Sequence, residues 1–554
     1  MEKYMNCITV IYKDKFYHIE FEPQNRLSLN TILSNNGFLL NTSCGGTGNC
    51  GKCTVYNSDT QATIKACSYY PDKSMTISIS ESALLRFPDS YDEPHNNKTN
   101  HSQTNELTNN VTNASQTNKL TNKLTHESVA YVNPVNSKLE QLNDIYTCAI
   151  DIGSTCITVC ILKEETIIAE NTFFNSTISA GTDIISRMDK ACSGSLSLLT
   201  SLLRKDITDS IANLLIKHHI KPSILKKITI ACNSAMQHLL MKLDCSGMRS
   251  YPFHATKLQF KNIPYEKISG TESIYFEYMK SCHAMVTIIP SIGPFIGGDI
   301  VSGLYFIDAL SINKPFILLD LGTNAEIILG TNNSLLCTST AAGPAFEASG
   351  LSSGIPYVDG AIYDVSVKKN AIGNINVSYK TVSNKLPLGI CGSGILTLLS
   401  ELIRNDIIDN NGTFINPAQT EMLIAKSPTG NIKITQEDIR KLQVAIAAIR
   451  TGIDILVKYK ELTPADIINI FIAGSFGLAL DLKKLSNLRL LPTEWNNPPH
   501  TIHYIGNSSL KGAVKSTHNT DAAKYYTKLI ENNKQLELSN LPEFNRLFID
   551  NMIF

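Results

Sequence analysis

Tyr146-Thr-Cys-Ala-Ile-Asp151-Ile-Gly153-Ser154-Thr155 is an apolar run that ends in Asp-x-Gly-Ser-Thr and turns straight into a second apolar run, Ile157 to Leu162. Short apolar runs bounded by turn residues read as buried strands, so the pair reads as a hairpin. Its turn offers backbone N–H groups and hydroxyls to phosphate oxygens, with Asp151 near a metal. A second copy stands at Phe316-Ile-Leu-Leu-Asp320-Leu-Gly322-Thr323-Asn324, again followed by a strand, Glu326 to Leu329. One Asp-x-Gly-Thr also fits an ordinary β-turn. Two copies about 170 residues apart imply two related lobes that face a nucleotide cleft. A third element, Ile470-Phe-Ile-Ala473-Gly474-Ser475-Phe476-Gly477, is a buried strand that runs into a glycine turn. Flat glycine backbone suits an adenine and ribose face, although a close strand–helix contact accounts for it equally well when taken alone. No Gly-x4-Gly-Lys-[Ser/Thr] phosphate loop occurs.

Upstream, Ser43-Cys-Gly-Gly-Thr-Gly-Asn-Cys-Gly-Lys-Cys53 crowds Cys44, Cys50 and Cys53 into a glycine loop, with Cys67 following after thirteen intervening residues. Thiolates converging from several directions, with glycines that let the backbone turn its N–H groups toward sulfur, suit a [2Fe–2S] centre. The Cys-x5-Cys-x2-Cys spacing departs from the plant-type Cys-x4-Cys-x2-Cys. A zinc knot, the competing reading, usually shows two short cysteine pairs. Around the loop, residues from about Tyr4 to Phe21 read as a hairpin turning at Lys13-Asp14, Ser28 as an N-cap, and Gly37 as the C′ residue that ends the helix. Cys53-Thr-Val-Tyr and Met75-Thr-Ile-Ser-Ile alternate as strands. The order of hairpin, helix, cluster loop and strands resembles the β-grasp ferredoxin fold.

The chain has 554 residues, too many for one core, and 43% of them are apolar. Lys plus Arg, 49, equals Asp plus Glu, 49, so nothing marks a polyanion binder, nucleic acid or membrane surface as partner. No leader or long apolar span is legible, and fourteen cysteines in so long a chain suit a reducing compartment, which predicts a soluble, cytoplasmic protein. From Asn96 to Thr125 about half the residues are Asn or Thr, and Gln103-Thr-Asn-Glu-Leu-Thr-Asn109 recurs as Gln116-Thr-Asn-Lys-Leu-Thr-Asn122. Such a segment cannot bury enough surface to offset its ordering entropy. It reads as a tether with an r.m.s. span on the order of 40 Å. The domain expectation is therefore 1–86 for the cluster domain, 87–143 for the linker and 144–554 for the nucleotide domain, with lobes 144–314 and 315–554.

The order of the Asp151, Asp320 and Ala473-Gly474 motifs resembles the phosphate-1, phosphate-2 and adenosine motifs of the actin-like (ASKHA, ribonuclease H-like) ATPase superfamily. Further matches are Asn175 with Gly181-Thr-Asp183-Ile-Ile-Ser-Arg187, Asn233-Ser-Ala-Met236-Gln-His238-Leu-Leu240, Pro290-Ser-Ile-Gly-Pro-Phe-Ile-Gly-Gly-Asp299, Ala341-Ala-Gly-Pro-Ala-Phe-Glu347, Gly389-Ile-Cys-Gly-Ser-Gly394 and Gly506-Asn507-Ser508. With the cluster loop, they resemble the reductive activators of corrinoid proteins. That resemblance implies an N-terminal α+β ferredoxin-like domain on a linker, followed by a two-lobed α/β ATPase. It also implies ATP-dependent return of Co(II) corrinoid to Co(I) in methyltransferase or acetyl-CoA pathways. Some members insert a small middle domain between linker and ATPase; only about twenty residues separate the tether from the Asp151 strand, so its absence is expected here.

By motif, Asp151 and Asp320 would position Mg²⁺; Ser154 and Thr155 beside Gly153, and Thr323 and Asn324 beside Gly322, would hold the phosphates of ATP. Gly474, Ser475 and Gly477 would face adenosine. Asp299 would orient the hydrolytic water, with an ordinary helix N-terminal carboxylate as the alternative, and Glu347 is a second candidate. His238 reads as a core or capping histidine rather than one that meets the corrinoid. The partners implied are a corrinoid protein and an upstream electron donor, and a homodimer is compatible with both. A small-molecule kinase carrying an electron-transfer appendage is the competing activity.

Overall fold

The computed structural model describes residues 6–12, 15–23, 27–36, 38–40, 53–80, 83–86, 145–181, 183–261, 263–332, 334–348, 350–370, 375–427, 430–474 and 482–554. The glycine loop with Cys44 and Cys50, the C′ position Gly37, the linker 87–143, and Ser475 and Gly477 lie outside them.

In the N-terminal part, β1 (Asn6–Tyr12) and β2 (Lys15–Phe21) pair antiparallel about the turn at 13–14. Next comes α1 (Leu29–Asn35), capped by Ser28, whose Oγ accepts the Thr31 N–H at 3.2 Å. Then follow β3 (Leu39–Leu40), β4 (Thr54–Asn57), β5 (Ala62–Lys65), β6 (Met75–Ser78) and β7 (Leu84–Arg86). The main sheet runs β2-β1-β6-β4-β5, with β6 parallel to β1. Alternation in β2 sends Tyr17, Ile19 and Phe21 inward against Leu29, Leu33 and Phe38.

The larger part holds two six-stranded sheets of matching plan. The first is built from β8 (Tyr146–Ile152), β9 (Cys156–Lys163), β10 (Thr166–Phe174), β11 (Leu225–Cys232), β12 (Ile263–Pro264) and β13 (Met285–Ile288), in the order β10-β9-β8-β11-β13-β12. Its helices include α2 (Ile184–Lys190), α3 (Leu196–Lys217), α4 (Ser234–Met241), α5 (Phe276–Met279) and α6 (Gly298–Phe306). The second sheet starts with β14 (Phe316–Leu321), β15 (Ala325–Thr331) and β16 (Ser334–Thr340). An elaboration follows: β17 (Ala361–Lys369), β18 (Ile375–Thr381) and β19 (Gly389–Ile390), then α7 (Gly392–Arg404) and the hairpin β20 (Glu421–Ser427) with β21 (Gly430–Thr435). The chain returns through α8 (Gln436–Tyr459), β22 (Asn469–Ala473), α9 (Leu482–Asn487), β23 (Thr501–Gly506), α10 (Ser508–Thr517), α11 (Ala522–Glu531), β24 (Asn533–Gln535) and α12 (Phe544–Asp550). This sheet is ordered β23-β22-β14-β15-β16-β24. Read outward from the Asp-bearing strand, both sheets carry two successive antiparallel pairings on one side and two successive parallel pairings on the other.

Each sheet has a core of its own, and a third apolar cluster is common to both: Ala149 and Ala231 of the first sheet, Ile300 and Leu304 of α6, Leu318 and Ile328 of the second sheet, and Leu510 and Ala513 of α10. The central strands β8 and β14 are near-continuous apolar runs because both of their faces are covered. α6, which follows the parallel strand β13, and α10, which follows the parallel strand β23, meet through small residues. A Cβ on Gly512 would strike the Ser302 carbonyl oxygen, and one on Gly303 would sit 2.7 Å from Ser508 Oγ. Gly512→Ala therefore forces two helix backbones apart, and it is expected to destabilise the protein by about 1–3 kcal/mol. Calorimetric melting checks this.

Candidate functional site

Asp151 lies near the end of β8 and Asp320 near the end of β14, each just before a glycine turn. In the first turn the Gly153 N–H donates to Cys156 O at 2.9 Å, and a Cβ on Gly153 would come within 2.7 Å of the same oxygen. Asn175 pins this turn from below. Its Nδ2 donates to Gly153 O at 2.9 Å and its backbone N–H to Thr155 O at 3.0 Å. Ser154 and Thr155 form the half-buried tip. In the second turn the Gly322 N–H donates to Asn324 O at 2.9 Å; Thr323 is half-buried and Asn324 exposed. Ala473 pairs with Asp320 across β14 and β22, and Gly474 follows with φ +111°, where a Cβ would strike the Leu321 carbonyl. The three motifs thus stand at the C-terminal ends of interior strands of the two sheets, with the Asp151 and Asp320 carboxyls close enough to repel one another.

Asp299 opens α6 from the other side. The glycine before it must be bare, because a Cβ on Gly298 would strike Ile289 O. Asp299 Oδ1 accepts the Ile300 N–H at 2.9 Å, a bond that an ordinary helix N-terminal carboxylate would also make. Its charge also reaches Asp320 and Glu326, so the three carboxyls lie near one another. Burial pushes the Asp299 and Asp320 carboxyls up to about 7, with Asp151 adding to both by charge repulsion. Asp151 itself is raised by burial, against the two hydrogen bonds that lower it.

Three participants carry no assigned role in the sequence reading, although Asn507 stands in one of its matched motifs and Glu326 begins one of its strands. Glu326 stands directly opposite Asp320 in the β14–β15 register and accepts from Ser339 Oγ at 3.0 Å. Burial, then repulsion from Asp299 and Asp320, drives its carboxyl well above the ordinary range. The signal was available: in a hairpin that turns over Gly322 to Asn324, Asp320 and Glu326 must share a face. Asn507 and Ser509, at the start of α10, bond both oxygens of Asp151, with Nδ2 to Oδ2 at 2.8 Å and Oγ to Oδ1 at 2.7 Å. Nothing local to their sequence points there.

His238 is fully buried in α4, with Nδ1 2.7 Å from Ser234 O and Nε2 accepting from the Thr256 N–H at 3.1 Å. It is a core histidine, and burial lowers its pKa. Glu347 ends the short helix Pro344–Glu347, and its side chain is outside the described residues. The hairpin β4–β5, with Thr54 opposite Lys65, brings Cys53 and Cys67 together; both are buried and their sulfurs lie 3.1 Å apart. A disulfide would need about 2.05 Å. Among the described residues no helix is long and apolar enough to cross a membrane.

A model described as the C-terminal domain of RACo, the ASKHA domain, matches residues 314–554, and one described as the RACo middle region matches 146–310. What that family counts as its middle region is therefore present, as the sheet that carries Asp151; the expectation of a missing middle piece is corrected to that extent. Corrinoid activation enzyme RamQ of Eubacterium limosum is 29% identical over 75% of this chain and 71% of its own length. The [Co(II) methylated amine-specific corrinoid protein] reductase of Methanosarcina barkeri is 24% identical over 55% of this chain and 58% of its own. A solved reductive activator for corrinoid, iron-sulfur protein superposes with a TM-score of 0.66 at 24% identity, over 99% of this chain and 98% of that one. The C-terminal fold is thus an actin-like ASKHA fold.

The raised carboxyls have a consequence for stability. Their folded values lie above the unfolded value of about 3.9, so between about pH 4 and pH 7 the folded chain holds more protons than the unfolded one. Stability from these protonated groups is present at low pH and lost as pH rises through about 7. Asp320→Asn should therefore raise the melting temperature of the nucleotide-free protein at about pH 8, by about 1–2 °C or more, and gain little at about pH 5. Scanning calorimetry at the two pH values tests the difference.

Proposed function

This chain belongs to the reductive activators of corrinoid proteins, and we propose that ATP turnover in the cleft between its two sheets drives the reduction of a Co(II) corrinoid, carried by a separate protein, to Co(I). The observation that carries this reading is the set of half-buried carboxylates Asp151, Asp299 and Asp320 gathered between two phosphate-type turns, in a chain whose relatives are named as corrinoid activators and reductases.

In this reading the hard oxygens of Asp151 and Asp320 hold Mg²⁺, largely through its waters, and the crowding of like charges is what a divalent cation relieves. Backbone N–H groups and hydroxyls at Ser154, Thr155, Thr323 and Asn324 hold phosphate oxygens. Gly474 faces adenosine, and Ser475 and Gly477, which lie outside the described residues, are the further candidates for that contact. Asp299, held by its own helix start, orients water toward the γ-phosphorus; the P–O bond to ADP breaks as the P–O bond to water forms, and the proton leaves with phosphate. Glu347 is the second candidate for that task.

Cys44, Cys50, Cys53 and Cys67 hold a [2Fe–2S] cluster in an N-terminal ferredoxin-like domain of residues 1–86. The buried convergence of Cys53 and Cys67 without a disulfide supports this donor set. When bound, the cluster relays single electrons from a low-potential donor. An uphill electron costs about 2.3 kcal/mol per 100 mV, so the nucleotide domain, 144–554, acts by binding the Co(II) form in a conformation that eases its reduction. Residues 87–143 tether the two. The protein works in the cytoplasm, as a monomer or homodimer.

Anaerobic mixing of the reduced protein with a Co(II) corrinoid protein tests the reading. Co(I) absorbance should develop only with Mg²⁺ and ATP, with phosphate released to water; a phosphorylated small molecule would point to a kinase instead. Asp151→Asn and Asp320→Asn should each lower ATP turnover about 100-fold and leave the visible cluster spectrum intact. Cys53→Ala and Cys67→Ala should do the reverse, losing the spectrum and keeping ATP hydrolysis.

A further inference from the structure

Helix α10 follows β23 of the second sheet directly but is bonded at both ends to the first sheet. At its start, both oxygens of Asp151 are taken by Asn507 and Ser509. Asn507 has no freedom in this. Its Oδ1 caps the helix by accepting the Leu510 N–H at 2.8 Å, which leaves Nδ2 as the group that faces the carboxylate. At the helix end, Lys227 donates to Ser516 O at 3.3 Å and Thr517 O at 2.9 Å, and Thr147 Oγ1 lies 3.1 Å from His518 Nε2. Along its length, Ser302 Oγ of α6 donates to Ser509 O at 2.6 Å.

We propose that Asn507 and Ser509 are positioning residues for ATP turnover that act through Asp151: they aim its carboxylate and make the seating of α10 sensitive to whether a nucleotide-bound cation is present. This rests on the reading of Asp151 as a phosphate-side carboxylate. The physical reason is competition for one charge. Bonds to an ionised carboxylate are about twice as strong as neutral ones, and a cation beside Asp151 draws on the same oxygens that hold the helix start. Linkage makes the effect mutual, so whatever moves α10 alters cation affinity by the factor that the cation alters the seating of α10.

The test is a double-mutant cycle on the full chain. Asn507→Ser keeps an N-cap, since Ser caps about as well as Asn, but its short side chain cannot both cap the helix and reach Asp151. Ser509→Ala removes the second donor. Each should lower the rate constant of ATP hydrolysis about tenfold with intact near-ultraviolet circular dichroism, and should cost less than about twofold once Asp151 is already Asn. A second readout is independent of turnover: paramagnetic titration of Mn²⁺ into the ADP complex should show an affinity shifted at least about threefold by either variant. Should Asn507→Ser fail to fold, Asn507→Thr, which also retains the cap and adds no charge beside Asp151, takes its place. Losses that persist undiminished in the Asp151→Asn background, or unchanged Mn²⁺ affinity, overturn the inference and make the two residues structural. If Asp151→Asn itself leaves turnover unchanged, the cleft reading fails first and this inference falls with it.

Discussion

The crowding of like charges at the mouth of the cleft is the constraint on which the rest depends. Asp320 and Glu326 face each other across an antiparallel pair, and Asp151 and Asp299 act on the same group from the first sheet and from α6. Directly opposed residues have Cβ atoms about 5 Å apart, and two full charges at that distance repel by roughly 3 kcal/mol at an effective dielectric of about 20. A fold that selection acted on for stability alone would not gather four carboxyls there. They stay together because each sits on an element that cannot yield: two central strands covered on both faces, a hairpin partner fixed by register, and a helix whose first turn lies against Ile289.

Rigidity at that site is supplied from both lobes. The turn after Asp151 is held by Asn175, a fully buried side chain from beyond β10, and the turn after Ala473 by a glycine in a conformation that a side chain would not permit. The α6–α10 seam then sets how close the lobes come, because Ser302, Gly303, Ser508 and Gly512 let helix backbones approach to a distance that larger residues would forbid. The carboxylate cluster and the lobe seam therefore share a part: Ser509 donates its hydroxyl to Asp151, and its carbonyl accepts from Ser302 Oγ.

Much of this was legible because its causes are local. A buried strand that ends in Asp-x-Gly-Ser/Thr folds back on itself wherever it occurs, so both hairpins and the strand before Gly474 stand where the sequence places them. The β1–β2 hairpin and the Ser28 cap are local as well. What escaped is non-local. Asn507 and Ser509 reach Asp151 across more than 350 residues, and a polar Gly-Asn-Ser-Ser turn carries no mark of its target. Glu326 differs: its place opposite Asp320 follows from the register that the turn imposes, not from the turn residues themselves. His238 could be settled only by its neighbours, since a backbone carbonyl on one nitrogen and an N–H on the other leave the ring nothing to offer a ligand.

Helix α10 also shows why one residue type serves at position 507 and its relatives do not. A helix N-terminus carries partial positive charge and its C-terminus partial negative, and here the first sheet answers both, with Asp151 at the start and Lys227 at the end. Aspartate at 507 would cap the helix as well as asparagine does, but it would turn a second negative oxygen toward Asp151. Serine or threonine would cap it with one atom and leave Oδ2 of Asp151 without its partner. Asparagine alone among the good caps has an acceptor for the helix and a donor for the carboxylate on one rigid amide, so the requirement comes from the charge it faces and not from the helix it starts.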